Sequence, residues 1–250
     1  MTSVRGLLVL ALLAFLLAFV ARLPARWLPK LLPPGVVCIE PAGTFWNGAC
    51  ANLEAGGLRA GAARWSLRPA RLLTGRLAAQ VRFAQPLATL EGEFAPVPGG
   101  TLEARALRGT LAHAPGGLLP GGPGDLEGRV GLALDELVVR DRVVRAIAGR
   151  IEVQDLRQRT GEGPLELGSY ELLFEGGPPQ ASGNLPGRLR DTGGPLEVAG
   201  TLTLTPAPGY LLDGSVATRP SASPILVRQI AFLGSPDANG RRSFSQEATF

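Results

Sequence analysis

Two cysteines, one histidine and scattered carboxylates are the side chains with most chemical reach in this 250-residue chain, and their spacing excludes most chemistries. Cys38 and Cys50 form a lone C-x11-C pair, and His113, the only histidine, lies far away, so no zinc set exists. Each cysteine is six residues from Thr44. A hairpin centred near Thr44 therefore sets them opposite each other. In an oxidising compartment that geometry suits a disulfide; otherwise they are two buried thiols acting as small apolar residues. His113, in Ala112-His113-Ala114-Pro115, reads as a single loop histidine at the end of a strand. Lys30 is the only lysine, so no phosphate-binding loop of the Gly-rich, Lys-terminated kind is present. There is no G-x-S-x-G, and no G-x-G-x-x-G opens a helix. Asp237-Ala238-Asn239-Gly240 faintly resembles a calcium loop, but Arg241 and Arg242 occupy the positions where a ligand and a glycine are needed, which leaves a tight turn. Asp135-Glu136 sits isolated on alternating strands. The sequence thus predicts no catalytic residue, no metal and no cofactor.

What positions these residues is a β framework behind an apolar leader. Gly6–Ala21 holds sixteen residues without a charge. A spanning helix needs about 17–25 residues. Arg5 and Arg22 extend the usable span by snorkelling, and Leu23 and Trp27 fall at an interfacial belt. A cleaved leader is the rival reading, but Phe19, Val20 and Leu23 spoil the small-residue cleavage frames nearby, and Ala25 serves only weakly. The expected layout is a tail over 1–5, a transmembrane helix over 6–23, a Pro-rich stiff linker over 24–35 and a β domain over 36–250. The net charge of +4 belongs to the leader, where Arg5, Arg22, Arg26 and Lys30 are the only charges in the first 30 residues. The rest balances 21 basic against 21 acidic residues, which argues against nucleic acid as a partner.

From Val36 the period is mostly two, with Gly/Pro turns between short strands. Gly43 and Gly48 bracket Thr44–Asn47, a tight reversal that carries Trp46. Trp46 and Trp65 each read as a core anchor or as an interface aromatic. A degenerate motif, aliphatic-x-Gly-x-aliphatic or aromatic, recurs seven times: Leu73-Gly75-Leu77, Leu90-Gly92-Phe94, Leu107-Gly109-Leu111, Leu126-Gly128-Val130, Ile147-Gly149-Ile151, Val198-Gly200-Leu202 and Leu212-Gly214-Val216. In a strand these three residues share one face. The motif predicts a strongly curved, largely antiparallel sheet, an incomplete barrel or a folded-over sheet. Its concave face would be apolar, lined by Leu107, Leu111, Leu126, Val130, Ile147, Ile151, Val198 and Leu202. Glycine drift in a Gly-rich chain is the alternative source of the pattern. Ser223–Leu233 predicts a short C-terminal helix, capped by Ser223 and ended by Gly234.

Gly43-Thr44-Phe45-Trp46-Asn47-Gly48, then Trp65-Ser66-Leu67-Arg68-Pro69 and Leu72-Leu73-Thr74-Gly75, resemble the N protein family of the bacterial type II secretion system. Gly168-Ser169-Tyr170 and Pro224-Ile225-Leu226 through Leu233-Gly234, followed by Asp237 and Gly240-Arg241, are similar too. The resemblance implies a non-catalytic inner-membrane accessory protein of the Gram-negative envelope, with its N-terminus cytoplasmic and its bulk periplasmic. It implies the inner-membrane assembly platform and the outer-membrane secretin as partners. The family is also distantly similar to AsmA-type proteins, whose curved sheets form lipid-linked apolar grooves. That comparison makes lipid the alternative ligand of the concave face.

Overall fold

Alternating apolar and polar residues between Gly- and Pro-rich turns produce thirteen strands and little helix among the described residues. The computed structural model describes residues 4–30, 36–55, 58–67, 78–85, 88–97, 99–112, 126–141, 143–161, 163–177 and 179–249. His113, the Leu73-Gly75-Leu77 motif and the turn over 115–124 lie outside the described residues. The chain divides into two compact units, Met1–Pro86 and Leu87–Phe250.

The first unit starts with helix α1, Val4–Ala21, and a 3-10 helix over Ala25–Lys30. Strands β1 (Val36–Gly43), β2 (Asn47–Ala55), β3 (Leu58–Leu67) and β4 (Ala79–Gln85) follow, each antiparallel to the next. The helix departs from the expected 6–23: it begins two residues earlier and ends at Ala21, ahead of Pro24, which cannot continue it. Among the described residues, no helix is long and apolar enough to cross a membrane. With 18 residues, α1 is about 27 Å long at 1.5 Å per residue, short of a hydrocarbon core of about 30 Å.

The second unit holds β5 (Ala88–Val97), β6 (Thr101–Ala112), β7 (Leu126–Arg140), β8 (Val143–Thr160), β9 (Gly163–Glu175), β10 (Leu185–Gly193), β11 (Leu196–Leu204), β12 (Gly209–Thr218) and β13 (Arg242–Thr249). They form an up-and-down antiparallel meander in chain order. Among the described residues β13 pairs only with β12, so the sheet is not closed. Helix α2, Pro224–Ala231, precedes β13. Its start follows local rules: the Ser223 hydroxyl accepts from the Leu226 N–H at 3.3 Å and Pro224 takes the first turn.

One face of this sheet carries two apolar clusters. Leu107, Leu134, Ile147, Phe174, Leu185, Leu202 and Tyr210 form the larger one. Leu165, Leu196, Val198, Val216 and Leu226 form the other, beneath α2. Leu134 is only 3% exposed, although the larger cluster draws on strands alone. A single layer shields a side chain that well only by coiling over itself, and bulges supply the added twist. The register shifts between Glu91 and Glu93, Glu127 and Arg129, Leu134 and Glu136, and Val153 and Leu156.

Three of the motif glycines sit opposite these shifts. Gly92 faces the irregularity at Ala106, whose φ is 48°; Gly128 faces the one at Asp155, whose φ is 52°; Gly149 faces the extra residue Asp135. Glycine is used where the neighbouring strand bulges against it, not where its own strand bulges. Cross-strand arginines hold the two acidic bulge residues: Arg108 pairs with Asp135 at 2.6 Å and Arg129 with Asp155 at 2.6 Å. Asp135, expected to be isolated, is therefore a clamped bulge residue.

A polar clasp fixes the far end of β9–β11. Asp191 accepts from Arg219 at 2.6 Å and from the Val198 N–H at 3.0 Å, and the Tyr170 hydroxyl donates to the Leu167 carbonyl at 2.6 Å. Burial, reinforced by Asp191 and opposed by Arg219, pushes the Tyr170 phenol up to about 12. The folded state then holds a proton that the unfolded chain releases near 10. This contribution to stability is intact below about pH 10 and is lost as pH rises towards 12. Chemical unfolding at pH 9 and pH 11.5 should show that loss, and Tyr170→Phe should reduce it; an unchanged pH dependence in the variant would assign the effect elsewhere.

Candidate functional site

The tryptophan hairpin is a joint that fastens α1 to the first β unit. Gly43 has φ of 88°, which a residue with a side chain adopts only under strain. The Thr44 N–H donates to the Asn47 carbonyl at 2.8 Å, and the Asn47 N–H donates back to the Thr44 hydroxyl at 3.0 Å. The turn presents Phe45 and Trp46, whose rings meet edge to face at 5.4 Å. Trp65 on β3 lies over Gly48, where any Cβ would overlap its ring, and its Nε1–H donates to the Phe45 carbonyl at 2.9 Å.

From this turn the bonds run to the helix end. A helix leaves its last carbonyls unsatisfied. Here the Trp46 Nε1–H donates to the Val20 carbonyl at 2.7 Å, and the Phe45 N–H donates to the Leu23 carbonyl at 2.7 Å. Pro24 makes a β-bridge with Thr44, and Ala25 is 1% exposed in a cluster with Cys38, Cys50, Ala63, Trp65 and Leu67. Residues 24–30, expected to be part of a separate linker, are thus docked on the hairpin; residues 31–35 lie outside the described residues. Trp65 is a core residue. Trp46 is half-buried and is both a packing residue and the bridge to α1, a role that neither expected reading contained. Pro24 and Ala25 gave no signal in the sequence beyond a break after the apolar run.

Cys38 and Cys50 are joined in a disulfide, with Cα atoms 5.6 Å apart. They are not directly opposed, as a turn centred on Thr44 would require. The observed register pairs Cys38 with Leu53 and Pro41 with Cys50, because the reversal is centred between Phe45 and Trp46. Glu40, at φ of 52°, and the shift between Cys50 and Leu53 break the regular ladder between them. Both cysteines are buried, so the bridge staples the cluster under the joint. Thiol counting on unfolded, unreduced protein should find essentially none, and two reactive thiols per chain would show the bridge does not form. Its contribution is at most about 3 kcal/mol for so short a loop.

The residues expected to line a groove separate. Leu107, Ile147 and Leu202 share the larger cluster, with Ile151 packed against it. Val198 belongs to the cluster under α2, and Leu111 is 40% exposed. Leu126 and Val130 are half-buried outside both clusters. The space beside the motif glycines is occupied: Leu107 fills it at Gly92, Leu90 at Gly109 and Phe244 at Gly214. A cleft of about 310 Å³ opens by β10, lined by Ile147, Phe174, Gly177, Leu185, Gly187 and Arg188 among others. Within the larger cluster the Tyr210 hydroxyl is buried and has no hydrogen-bond partner among the described residues. Among the described residues, no group of three or more His, Cys, Asp or Glu residues could hold a metal.

Comparison with known proteins supplies the context of the joint, the staple and the apolar-faced sheet. The family described as type II secretion system protein N matches residues 34–245. The chain belongs to this family. It is also similar to the type II secretion system protein N of Aeromonas hydrophila, at 28% identity over 247 residues, covering 95% of this chain and 94% of the relative. No solved structure matches. Family membership makes the chain a component of type II secretion and places it with the cell envelope.

Proposed function

We propose that the chain is a non-catalytic accessory component of the type II secretion machinery. In this reading α1 anchors it in the inner membrane, and the β units lie in the periplasm and dock the assembly platform and the secretin. The observation that carries the reading is the joint: Trp46 bonds the Val20 carbonyl in the last turn of the helix and Phe45 the Leu23 carbonyl just beyond it, so the helix is held to the β unit at a fixed point. The apolar side chains of Leu8, Leu10, Leu12, Leu13, Phe15, Leu16, Phe19 and Val20 are 43–67% exposed, which suits a lipid environment. Arg22 and Trp27, exposed just beyond the helix, suit the headgroup layer and offset its short length. The disulfide suits an oxidising compartment.

The test is complementation in a strain lacking this protein. The full chain should fractionate with the inner membrane and restore export of a secreted enzyme. A form with residues 1–21 replaced by a cleavable leader should accumulate in the periplasm and restore little export. Full restoration by the untethered form would overturn the anchored reading.

A second reading, lipid held on the concave face, draws support from the unpartnered Tyr210 hydroxyl among apolar side chains. Native mass spectrometry of gently extracted protein tests it. A bound lipid that survives Leu111→Ser but is lost in Tyr210→Phe would support it, and lipid-free wild-type protein would end it.

A further inference from the structure

The two terminal strands differ in how well they resist pairing with another chain. An exposed edge offers a row of unpaired amides, which proteins blunt with proline, kinks or inward charges. Strand β1 has two such devices: Pro41 lacks an N–H, and Glu40 turns left-handed at φ of 52°. Strand β13 has neither. Over Arg242–Thr249 it contains no proline, no positive φ and no register shift against β12, and its backbone pairing among the described residues is with β12 alone.

The side chains along β13 state what kind of strand fits. Arg242, Phe244, Gln246 and Ala248 pair with Val216, Gly214, Leu212 and Tyr210, so they lie on the clustered face. Phe244 and Ala248 stay only half-buried there, while Ser243, Ser245, Glu247 and Thr249 are exposed on the other face. An added strand must bring small or apolar residues opposite Phe244 and Ala248 and polar ones elsewhere. β13 itself has that pattern. An antiparallel two-fold pairing keeps matching faces together only when opposed residue numbers have the same parity. The register centred on Gln246 uses all of 243–249. It sets Phe244 against Ala248, Ser245 against Glu247 and Ser243 against Thr249 of the second copy, large against small, with no like charges opposed.

We propose that β13 is a self-association edge, and that two copies of this chain pair through it around a two-fold axis at Gln246. The blunted β1 edge disfavours head-to-tail addition, so the assembly closes at two.

The full chain in detergent should have a protein mass twice the 26.1 kDa of one chain. Gln246→Cys with a short bismaleimide should give mainly covalent dimer, whereas Ala199→Cys, exposed on the interior strand β11, should not. Gln246→Lys places two cations on the axis at an exposed position, so it should yield monomer that keeps the wild-type far-UV circular dichroism spectrum. A monomeric wild-type chain, equal linking at both cysteines, or a dimer that persists in Gln246→Lys would each overturn the proposal. Linking of Gln246→Cys only to a different protein in native membranes would assign the edge to another partner and overturn it as well.

Discussion

Trp65→Ala is expected to destabilise the first unit by about 3–5 kcal/mol, read as a shift of the urea midpoint in detergent. The indole is 8% exposed, lies over Gly48 and donates to the Phe45 carbonyl, so its removal opens a cavity and leaves the turn carbonyl unsatisfied together. Trp46→Ala removes less buried surface but also the bond to the Val20 carbonyl. It should cost about 1–3 kcal/mol and expose the segment between Ala21 and Val36 to protease. The two variants therefore separate core stability from coupling to the helix. If Trp65→Ala leaves the midpoint unmoved, the packing of this unit is wrong; if Trp46→Ala leaves the protease pattern unchanged, the joint has no mechanical role.

The parts of the fold that were legible depend on local rules. The period of two in the strands follows from side-chain alternation, and the start of α2 from the Ser223 hydroxyl and Pro224. The hairpin around Gly43–Gly48 was legible from its glycines, but its register was not. Thr44 lies midway between the cysteines and reads as the pivot, whereas side chain–backbone bonding between Thr44 and Asn47 moves the pivot to Phe45–Trp46. The docking of residues 23–25 depends on contacts twenty or more residues apart in sequence for Leu23 with Phe45 and Pro24 with Thr44, and on the packing of Ala25 in the hairpin cluster, and no local pattern encodes these. The glycine motif was legible as a mark of close approach on one sheet face. Its partner was not, because the bulging residues across from it include Ala106 and Asp155, which have no glycine or proline beside them.

Gly149→Ala is expected to be among the most damaging single-methyl additions in the second unit, at about 3–5 kcal/mol. Gly149 has φ of 125°, and a Cβ there would overlap the Ala133 carbonyl and come within 2.6 Å of the Leu134 Cα, both backbone atoms of the bulged neighbour. Backbone cannot yield as a side-chain tip can, and the bulge at Asp135 is itself held by Arg108. Gly128 occupies the same place in its own motif, yet its Cβ would come no nearer than 3.2 Å, to the Gln154 carbonyl. Gly128→Ala should therefore cost no more than about 1 kcal/mol. Melting curves of the two variants decide between two meanings of the glycine repeat. If glycine accommodates a neighbouring bulge, the effects are unequal, in the order given. If glycine only widens an open trough for an acyl chain, both alanines fit into free space, both variants melt like the wild type, and lipid occupancy is what changes.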